Sequence, residues 1–163
     1  MDQLWAPWRM EFIKGDKPPG CIFCQKPNEN QDEKNFILRL GRTSMVMMNI
    51  YPYNHAHLLA SPFKHVNGVD LLDKESASDL MESVRISVSV LKEAFRPDGF
   101  NIGINMGKFA GAGIEDHVHI HIVPRWSGDT NFMPLLAEVR VMPEHLVTTY
   151  RKLLPLFQKR GES

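Results

Sequence analysis

The feature that most constrains this chain is a seven-residue segment, 117–123, in which histidine alternates with aliphatic residues. Side chains alternate across a β-strand, so the pattern predicts a strand with all three histidines on one face and the aliphatic residues on the other. The histidines are His117, His119 and His121, and the alternating aliphatic residues are Val118, Ile120 and Ile122. A one-residue shift in pairing would exchange the two faces, so the register of this strand is strongly specified.

A row of imidazoles on a stiff strand suits three kinds of chemistry. Neutral imidazole is a common metal ligand and a nucleophile toward phosphorus or acyl carbon, and protonated imidazole binds anions. The remaining interpretation is a solvated strand that happens to be rich in histidine. The chain has seven histidines in all, and three of them at alternate positions of one strand favour a functional site.

Length and charge limit the other classes of protein. The chain has 163 residues, which fits one domain, and its formal net charge is zero, so bulk electrostatics make a nucleic-acid partner unlikely. No apolar run approaches the roughly 18 residues that a membrane helix needs, and the N-terminus lacks the pattern of a secretory signal. With only two cysteines, three positions apart, we expect a cytoplasmic protein that binds no membrane.

The coarse pattern of apolar residues predicts strands followed by helices. Besides 117–123, short apolar runs predict strands at 36–40, 44–48, 57–61 and 100–106. Apolar residues at three- and four-residue spacing predict a long helix over 73–95. A second helix is expected over 143–159, kinked or shortened by Pro155. This order favours an α+β fold with a mostly antiparallel sheet, one long helix and a C-terminal helix.

At the alternating segment the chain resembles the histidine triad (HIT) family, whose motif is His-φ-His-φ-His-φ-φ with φ apolar. Two further features are similar: Asn49 and His57 stand eight residues apart across a Pro-containing turn, and Asn105 opens the glycine-containing loop before the triad. The resemblance covers roughly residues 20–126. It implies a HIT-like fold and a single HIT domain over 1–163 with N-terminal and C-terminal extensions.

The resemblance also implies roles for four histidines. His119 would be the nucleophile that bonds to the α-phosphate of a nucleotide, with the backbone carbonyl of His117 fixing its tautomer. His121 would hydrogen-bond the phosphate and help the leaving group depart. His57 would orient the nucleophile, although a purely structural role remains open. His55 has no counterpart in the family, and we expect it to be exposed.

The nucleotide contacts implied by the resemblance lie in two loops. Asn49 and Asn105 match ribose and phosphate contacts, although both could simply cap turns. The backbone amides of Gly111, Gly113 and Ile114 could donate to phosphate oxygens. Many family members carry Ser or Thr at the position of Ile114, so this chain departs from the pattern there.

The two cysteines form half of a possible metal site. Cys21 and Cys24 could be a redox pair or plain thiols, and a zinc site would need two more ligands. In some HIT proteins two histidines complete a structural Cys2His2 zinc site, and the matching positions here are His65 and His117. No organic cofactor is expected.

Features outside the shared core resemble a bacterial group that includes HIT phosphorylases. These features are Trp5 to Arg9, Ala110 to Ile114, Pro124 to Trp126 and Asn131 to Pro134. The implied activity is cleavage of dinucleoside polyphosphates such as diadenosine tetraphosphate, with inorganic phosphate favoured over water as second substrate. The alternatives are hydrolysis of nucleoside phosphoramidates and nucleotide binding without turnover. A homodimer is also implied, and Ile86 and Val90, off the main stripe of the long helix, need burial somewhere.

Overall fold

The fold is built on one five-stranded antiparallel sheet in the order β1-β2-β3-β5-β4. The computed structural model describes residues 20–129 and 144–161. The strands are β1 (Ile37–Leu40), β2 (Ser44–Met48), β3 (Leu58–Pro62), β4 (Gly99–Ile104) and β5 (Ile120–Arg125). The predicted α+β fold with an antiparallel sheet is confirmed. The aromatic segment at 5–9, the stretch 131–134 and Pro143 lie outside the described residues.

In the described parts of the chain, three α-helices accompany the sheet: α1 (Ile22–Gln25), α2 (Lys74–Phe95) and α3 (Leu146–Gly161). The boundaries of α2 agree with the prediction to within one residue. Its N-cap is Asp73, whose carboxylate accepts the amide of Ser76 at 2.8 Å, and it ends at Arg96 in the left-handed region. Among the described residues, neither long helix combines the length and apolar character that crossing a membrane requires.

Of the two effects expected of Pro155, a kink or a shortening of the C-terminal helix, the shortening is wrong. Helix α3 continues through Pro155 to Gly161, with Pro155 itself exposed. Proline removes the bond to the carbonyl four residues earlier, which here belongs to the exposed Arg151, where water can replace the missing donor.

The two faces of the sheet are covered differently. Both long helices pack on one face, over a core that includes Val46, Leu58, Ile120 and Ile122. The other face carries a smaller cluster formed by Phe23, Ile37, Met45, Met47 and Leu59. The aliphatic side of the alternating segment therefore lies in the main core, as predicted. The histidine side faces the smaller cluster, where the segment that contains α1 covers it.

Strand β5 begins three residues later than the sequence predicts. It starts at Ile120 rather than at His117: β4 ends at Ile104, and β3 pairs with β5 only up to Ala60 with Ile120, although β3 itself continues to Pro62. Before that point Val118 donates its amide to Val66 at 2.7 Å. The first two histidines thus precede the regular strand.

Helix α2 buries more of its surface within the chain than its main apolar stripe suggests. Ile86 and Val90 lie in the main core, so their need for burial is met without a partner subunit. Met81, which follows the three- and four-residue spacing of apolar residues that predicted the helix, is instead 60% exposed. The argument for a dimer from Ile86 and Val90 is therefore wrong.

Candidate functional site

The three histidines of the alternating segment are closely packed rather than displayed in solvent. His117 and His119 are buried and His121 is partly buried, opposite Leu59 in the sheet. The ring centroids of His119 and His121 lie 5.0 Å apart. Phe23 packs on His119 at 4.9 Å and on His117 at 5.2 Å between ring centroids. The row is thus held from one side by an aromatic ring of α1.

The protonation of His119 follows from one hydrogen bond. Its Nδ1 lies 2.8 Å from the backbone carbonyl of His117, and a carbonyl can only accept. In the neutral ring Nδ1 therefore carries the proton and Nε2 carries the lone pair. Burial lowers the pKa of His119 below its usual range, and the bond to the carbonyl acts in the opposite direction. The arrangement favours a neutral imidazole with an unprotonated Nε2.

A second pair of rings lies beside His119. His57 is buried, and its Nε2 lies 3.0 Å from Nδ1 of His121. The backbone amide of Tyr53 donates to Nδ1 of His57 at 3.0 Å. Burial, followed by the charges of His121 and His119, lowers the pKa of His57 to about 3. His57 is therefore neutral, and it contacts His121 directly.

The predicted nucleotide contacts are only partly brought together. The side-chain amide of Asn49 lies 3.3 Å from Nδ1 of His57, so Asn49 belongs to the same cluster. Asn105 follows β4 and is partly buried. The amide of Gly111 donates to the carbonyl of Lys108 within its own loop. Donation from Gly111 to a phosphate oxygen would have to share or replace this bond, and it stays a prediction.

The last two predicted positions of the loop, Gly113 and Ile114, are partly buried. Ile114 packs on the smaller cluster that contains Phe23, and Phe23 in turn contacts His119. Where many HIT proteins carry a hydroxyl, this chain therefore places an apolar side chain on the cluster whose Phe23 contacts His119.

The cysteines and two histidines converge at the other end of the row. The ligand atoms of Cys21, Cys24, His65 and His117 all lie within 4.8 Å of one another. Nδ1 of His117 is 3.2 Å from Sγ of Cys21 and 3.1 Å from Nδ1 of His65, and Sγ of Cys24 is 3.3 Å from that same His65 atom. Tetrahedral coordination at zinc bond lengths separates ligand atoms by about 3.3 to 3.8 Å. The four residues can hold a metal ion.

The ring of His117 is oriented for such an ion by the backbone. Its Nε2 lies 2.8 Å from the carbonyl of Pro62, so Nε2 carries the proton and Nδ1 directs its lone pair at the cluster. Burial is the largest cause that lowers the pKa of His117. Burial and the neighbouring Cys21 raise the pKa of Cys24, an effect that a bound cation would reverse.

Three residues that sequence reasoning did not select prove central to the geometry: Phe23, Tyr53 and Pro62. Pro62 and Tyr53 each form a hydrogen bond through a backbone atom, which no side-chain pattern reveals. The third residue, Phe23, lies between the two cysteines in the sequence. Only this position could have indicated that its ring packs against the triad histidines.

The expectation that His55 is exposed is wrong. It is 7% exposed, packs edge-on against Phe95 and lies 3.8 Å from the carboxylate of Glu144. Burial is the largest cause that lowers its pKa. His55 therefore belongs to the contact between the turn after β2 and the end of α2, away from the row.

Similarity to known proteins identifies the family of this chain. The HIT domain matches residues 29–128, which is more than half of the chain. This chain belongs to the HIT family. A curated relative, "AP-4-A phosphorylase" from Mycobacterium tuberculosis (strain CDC 1551 / Oshkosh), is 35% identical over 163 aligned positions that cover 94% of this chain and 83% of the relative.

Solved HIT structures share the fold. A hypothetical histidine triad nucleotide-binding protein from Sulfolobus tokodaii strain7 aligns with a TM-score of 0.66 and 25% identity, over 87% of this chain and 92% of the other. A Zn-bound histidine triad family protein from Mycobacterium smegmatis aligns with a TM-score of 0.69 and 22% identity, over 88% of this chain and 96% of the other. The HIT-like fold predicted from the triad motif is confirmed.

Proposed function

We propose that this HIT protein cleaves dinucleoside polyphosphates such as diadenosine tetraphosphate at the α-phosphate, through a covalent nucleotidyl intermediate on His119. The observation that carries the proposal is the 2.8 Å bond from Nδ1 of His119 to the carbonyl of His117, which leaves Nε2 with a lone pair. The phosphorylase named among the relatives supports the same substrate class.

In the first step the lone pair on Nε2 of His119 forms a bond to the α-phosphorus. The bond from that phosphorus to the bridging oxygen breaks, and the electron pair leaves with the outgoing nucleotide. A neutral ring suits this step because a protonated Nε2 has no pair to donate. With diadenosine tetraphosphate the outgoing nucleotide is ATP, and AMP stays bound to His119.

Two neighbouring imidazoles serve this step in the proposal. His121 lies 5.0 Å from His119 between ring centroids, close enough to hydrogen-bond the same phosphate or the departing oxygen. His57 supports His121 through their 3.0 Å contact. Transfer at phosphorus depends mainly on position and charge stabilisation, which rigid neighbours supply.

In the second step an acceptor oxygen attacks the phosphorus and returns the electron pair of the N–P bond to His119. Inorganic phosphate as acceptor gives ADP, and water gives AMP. We favour phosphate because of the similarity to the mycobacterial phosphorylase over 94% of this chain. Asn49 is proposed to contact the nucleotide because it lies beside His57, and Asn105, Gly113 and Ile114 remain proposed contacts from the loop before the triad.

We further propose that the Cys2His2 cluster holds a structural zinc ion. Four of the distances between its ligand atoms are 3.1 to 3.5 Å, close to those of a tetrahedral zinc site, and all four positions would be filled by protein. Zinc would supply a cross-link between the α1 segment and the residues that precede β5. His117 joins this site to the nucleophile, since its ring faces the cluster and its carbonyl holds His119.

We also propose a homodimer, now supported by the edge of the sheet rather than by Ile86 and Val90 of α2. Strand β4 is at the edge of the sheet, and its Ile102 and Ile104 are 48% and 37% exposed. An apolar edge strand presents unpaired backbone groups to another chain. Light scattering tests the dimer, and Ile102→Lys should shift the chain toward the monomer. A monomeric wild-type protein would reject it.

The test of function is incubation with diadenosine tetraphosphate, with and without inorganic phosphate, followed by chromatography. ATP with ADP, formed only when phosphate is present, supports the phosphorylase. ATP with AMP identifies a hydrolase. Acid-sensitive labelling by substrate radiolabelled at the α-phosphate should occur in the wild type and be lost in His119→Ala. Turnover without any such label, or label retained by the variant, would refute the covalent intermediate on His119.

The same assay separates the remaining alternatives. Nucleotide binding by calorimetry with no product would indicate a binding module, and preferential turnover of adenosine 5′-phosphoramidate would indicate a phosphoramidate hydrolase. A catalytic metal held by all three triad histidines has little support, because the ring of His117 faces the cysteines and Nδ1 of His121 faces His57.

A further inference from the structure

The turn after β2 contacts both supporting imidazoles. The backbone amide of Tyr53 donates to Nδ1 of His57 at 3.0 Å. The ring of Tyr53 stacks on His121 with 5.4 Å between centroids and an interplanar angle of 19°, and lies 4.7 Å from the ring of His57. One residue therefore touches the two histidines through two different groups.

The amide bond decides the position of the protons on both rings. A backbone N–H can only donate, so Nδ1 of His57 must be the acceptor and the proton of the neutral ring must lie on Nε2. That Nε2 is 3.0 Å from Nδ1 of His121, which must then accept in turn. The proton of His121 is consequently on its own Nε2.

The same chain of bonds limits the charge on His121. A doubly protonated His121 would turn an N–H toward the N–H of His57, which would place two donors 3.0 Å apart. His57 cannot move its own proton to Nδ1, because the backbone amide of Tyr53 donates there at 3.0 Å and the side-chain amide of Asn49 lies 3.3 Å from the same atom. His121 is thus kept as a neutral ring that presents an N–H from Nε2.

We infer that Tyr53 is a positioning residue that fixes His121 as a neutral Nε2–H donor, through its amide to His57 and its ring on His121. This inference rests on the proposed function, in which His121 serves the phosphate. A neutral donor stabilises a phosphate oxygen by a hydrogen bond while the nearby His119 remains uncharged and nucleophilic. A cationic His121 would instead polarise the substrate but lower the basicity of its neighbour.

The first test reads the tautomers directly, in the wild-type protein without substrate. Nitrogen NMR of protein labelled with ¹⁵N-histidine, assigned with single His→Gln variants, should show His57 and His121 protonated at Nε2 and His119 at Nδ1. A proton on Nδ1 of His121, or an imidazolium there at pH 7, would overturn the inference. This result does not depend on activity, so it is distinct from a failure of the His119 adduct.

The second test removes only the amide proton of Tyr53. Incorporation of the α-hydroxy acid analogue of tyrosine at position 53 replaces the N–H with an ester oxygen and keeps the ring. Only the longer 3.3 Å contact from the side-chain amide of Asn49 then remains at Nδ1 of His57. We expect both tautomers of His57 and of His121 to become populated and kcat for diadenosine tetraphosphate to fall roughly 10-fold, with KM little changed. Unchanged tautomers and an unchanged kcat would contradict the role of the amide.

The matched control is the same ester at Tyr150, which lies in α3 and packs in the main core. This variant also loses one backbone hydrogen bond, so it should lower thermal stability without altering the tautomers or kcat. An equal loss of kcat in both ester variants would assign the effect to stability and reject the inference. Tyr53→Leu completes the set: it keeps the amide, so the tautomers should persist while kcat falls several-fold through the loss of the stacked ring.

Discussion

His119 and His121 stand two residues apart on the same face, and opposite kinds of backbone group control them. At His119 a carbonyl accepts from Nδ1, so Nε2 is left with a lone pair. At His121 the control comes through His57 from an amide, the N–H of Tyr53, so Nε2 is left with a proton. The same side chain thus becomes a nucleophile at one position and a donor at the next.

The comparison teaches that the motif fixes the direction of the three imidazoles, and their surroundings fix their chemistry. The carbonyl-controlled end, which consists of His117 and His119, is connected to the Cys2His2 cluster through the ring of His117. The amide-controlled end, which consists of His57 and His121, is connected to the turn after β2 through Tyr53. The two ends can therefore be disturbed separately, and each of the following predictions disturbs one of them.

The largest effect is expected from removing the nucleophile. His119→Ala should lower kcat roughly 10⁴-fold or more, because the covalent route is lost, whereas His121→Ala should lower it roughly 10²-fold, because only a donor is lost. Circular dichroism serves as the control for folding. The double variant should be no slower than His119→Ala, since residues that act on one step are not additive. Equal losses in the two single variants would contradict the division of roles.

Acid should destabilise the protein through the amide-controlled end. The folded-state pKa of His57 is about 3, below the usual value of about 6.5, so between these values the unfolded chain binds more protons. Stability is therefore present above pH 6.5 and is lost as the pH falls toward 3, by roughly 4 to 5 kcal/mol. Denaturation by urea at several pH values measures this slope, and His57→Gln should flatten it. A slope that the variant leaves unchanged would place the effect elsewhere.

Metal removal should act on the carbonyl-controlled end. Free zinc at about a thousand times its Kd contributes about 4 kcal/mol to stability by mass action, so a chelator should lower the Tm by several degrees. It should also lower kcat by releasing His117, whose carbonyl holds His119. Atomic absorption should find one zinc per chain.

The control for metal removal is Cys21→Ser with Cys24→Ser, whose Tm should not respond to the chelator. Because the amide-controlled end does not contact the cluster, the ¹⁵N signals of His57 and His121 should persist after chelation. Their disappearance together with the signal of His119 would show that the two ends are not independent.

The alternating segment predicted the strand, its two faces and the three histidines because side-chain period is a local property. It also placed the strand start three residues early, since the pairing of β5 stops at Ala60 of β3 and at Ile104 of β4, which the alternating pattern does not reveal. The spacing of Cys21 and Cys24, with the resemblance, predicted the partners His65 and His117.

The hydrogen bonds from the amide of Tyr53 and to the carbonyl of Pro62 could not be predicted, because backbone atoms make them and they carry no side-chain signature. The stacking of the Tyr53 ring on His121 depends on how the folded turn after β2 lies against β5. The burial of His55 depends on Phe95 and Glu144, which only the folded chain brings near. Sequence therefore located the reactive rings, but it did not reveal which nitrogen of each ring carries the proton.

The smallest effect is expected at Ile114, beside the carbonyl-controlled end, where many HIT proteins carry a hydroxyl. Ile114 packs on the apolar cluster around Phe23, so Ile114→Thr should place its hydroxyl against apolar atoms. We expect a loss of about 1 kcal/mol in stability and a change in kcat/KM of less than about threefold. Ile114→Val is the matched control, because it shortens the side chain without adding a hydroxyl. A rise in kcat/KM of about fivefold in the threonine variant alone equals one net hydrogen bond of about 1 kcal/mol. Such a rise would mean that the hydroxyl at position 114 reaches the phosphate and donates a hydrogen bond to it.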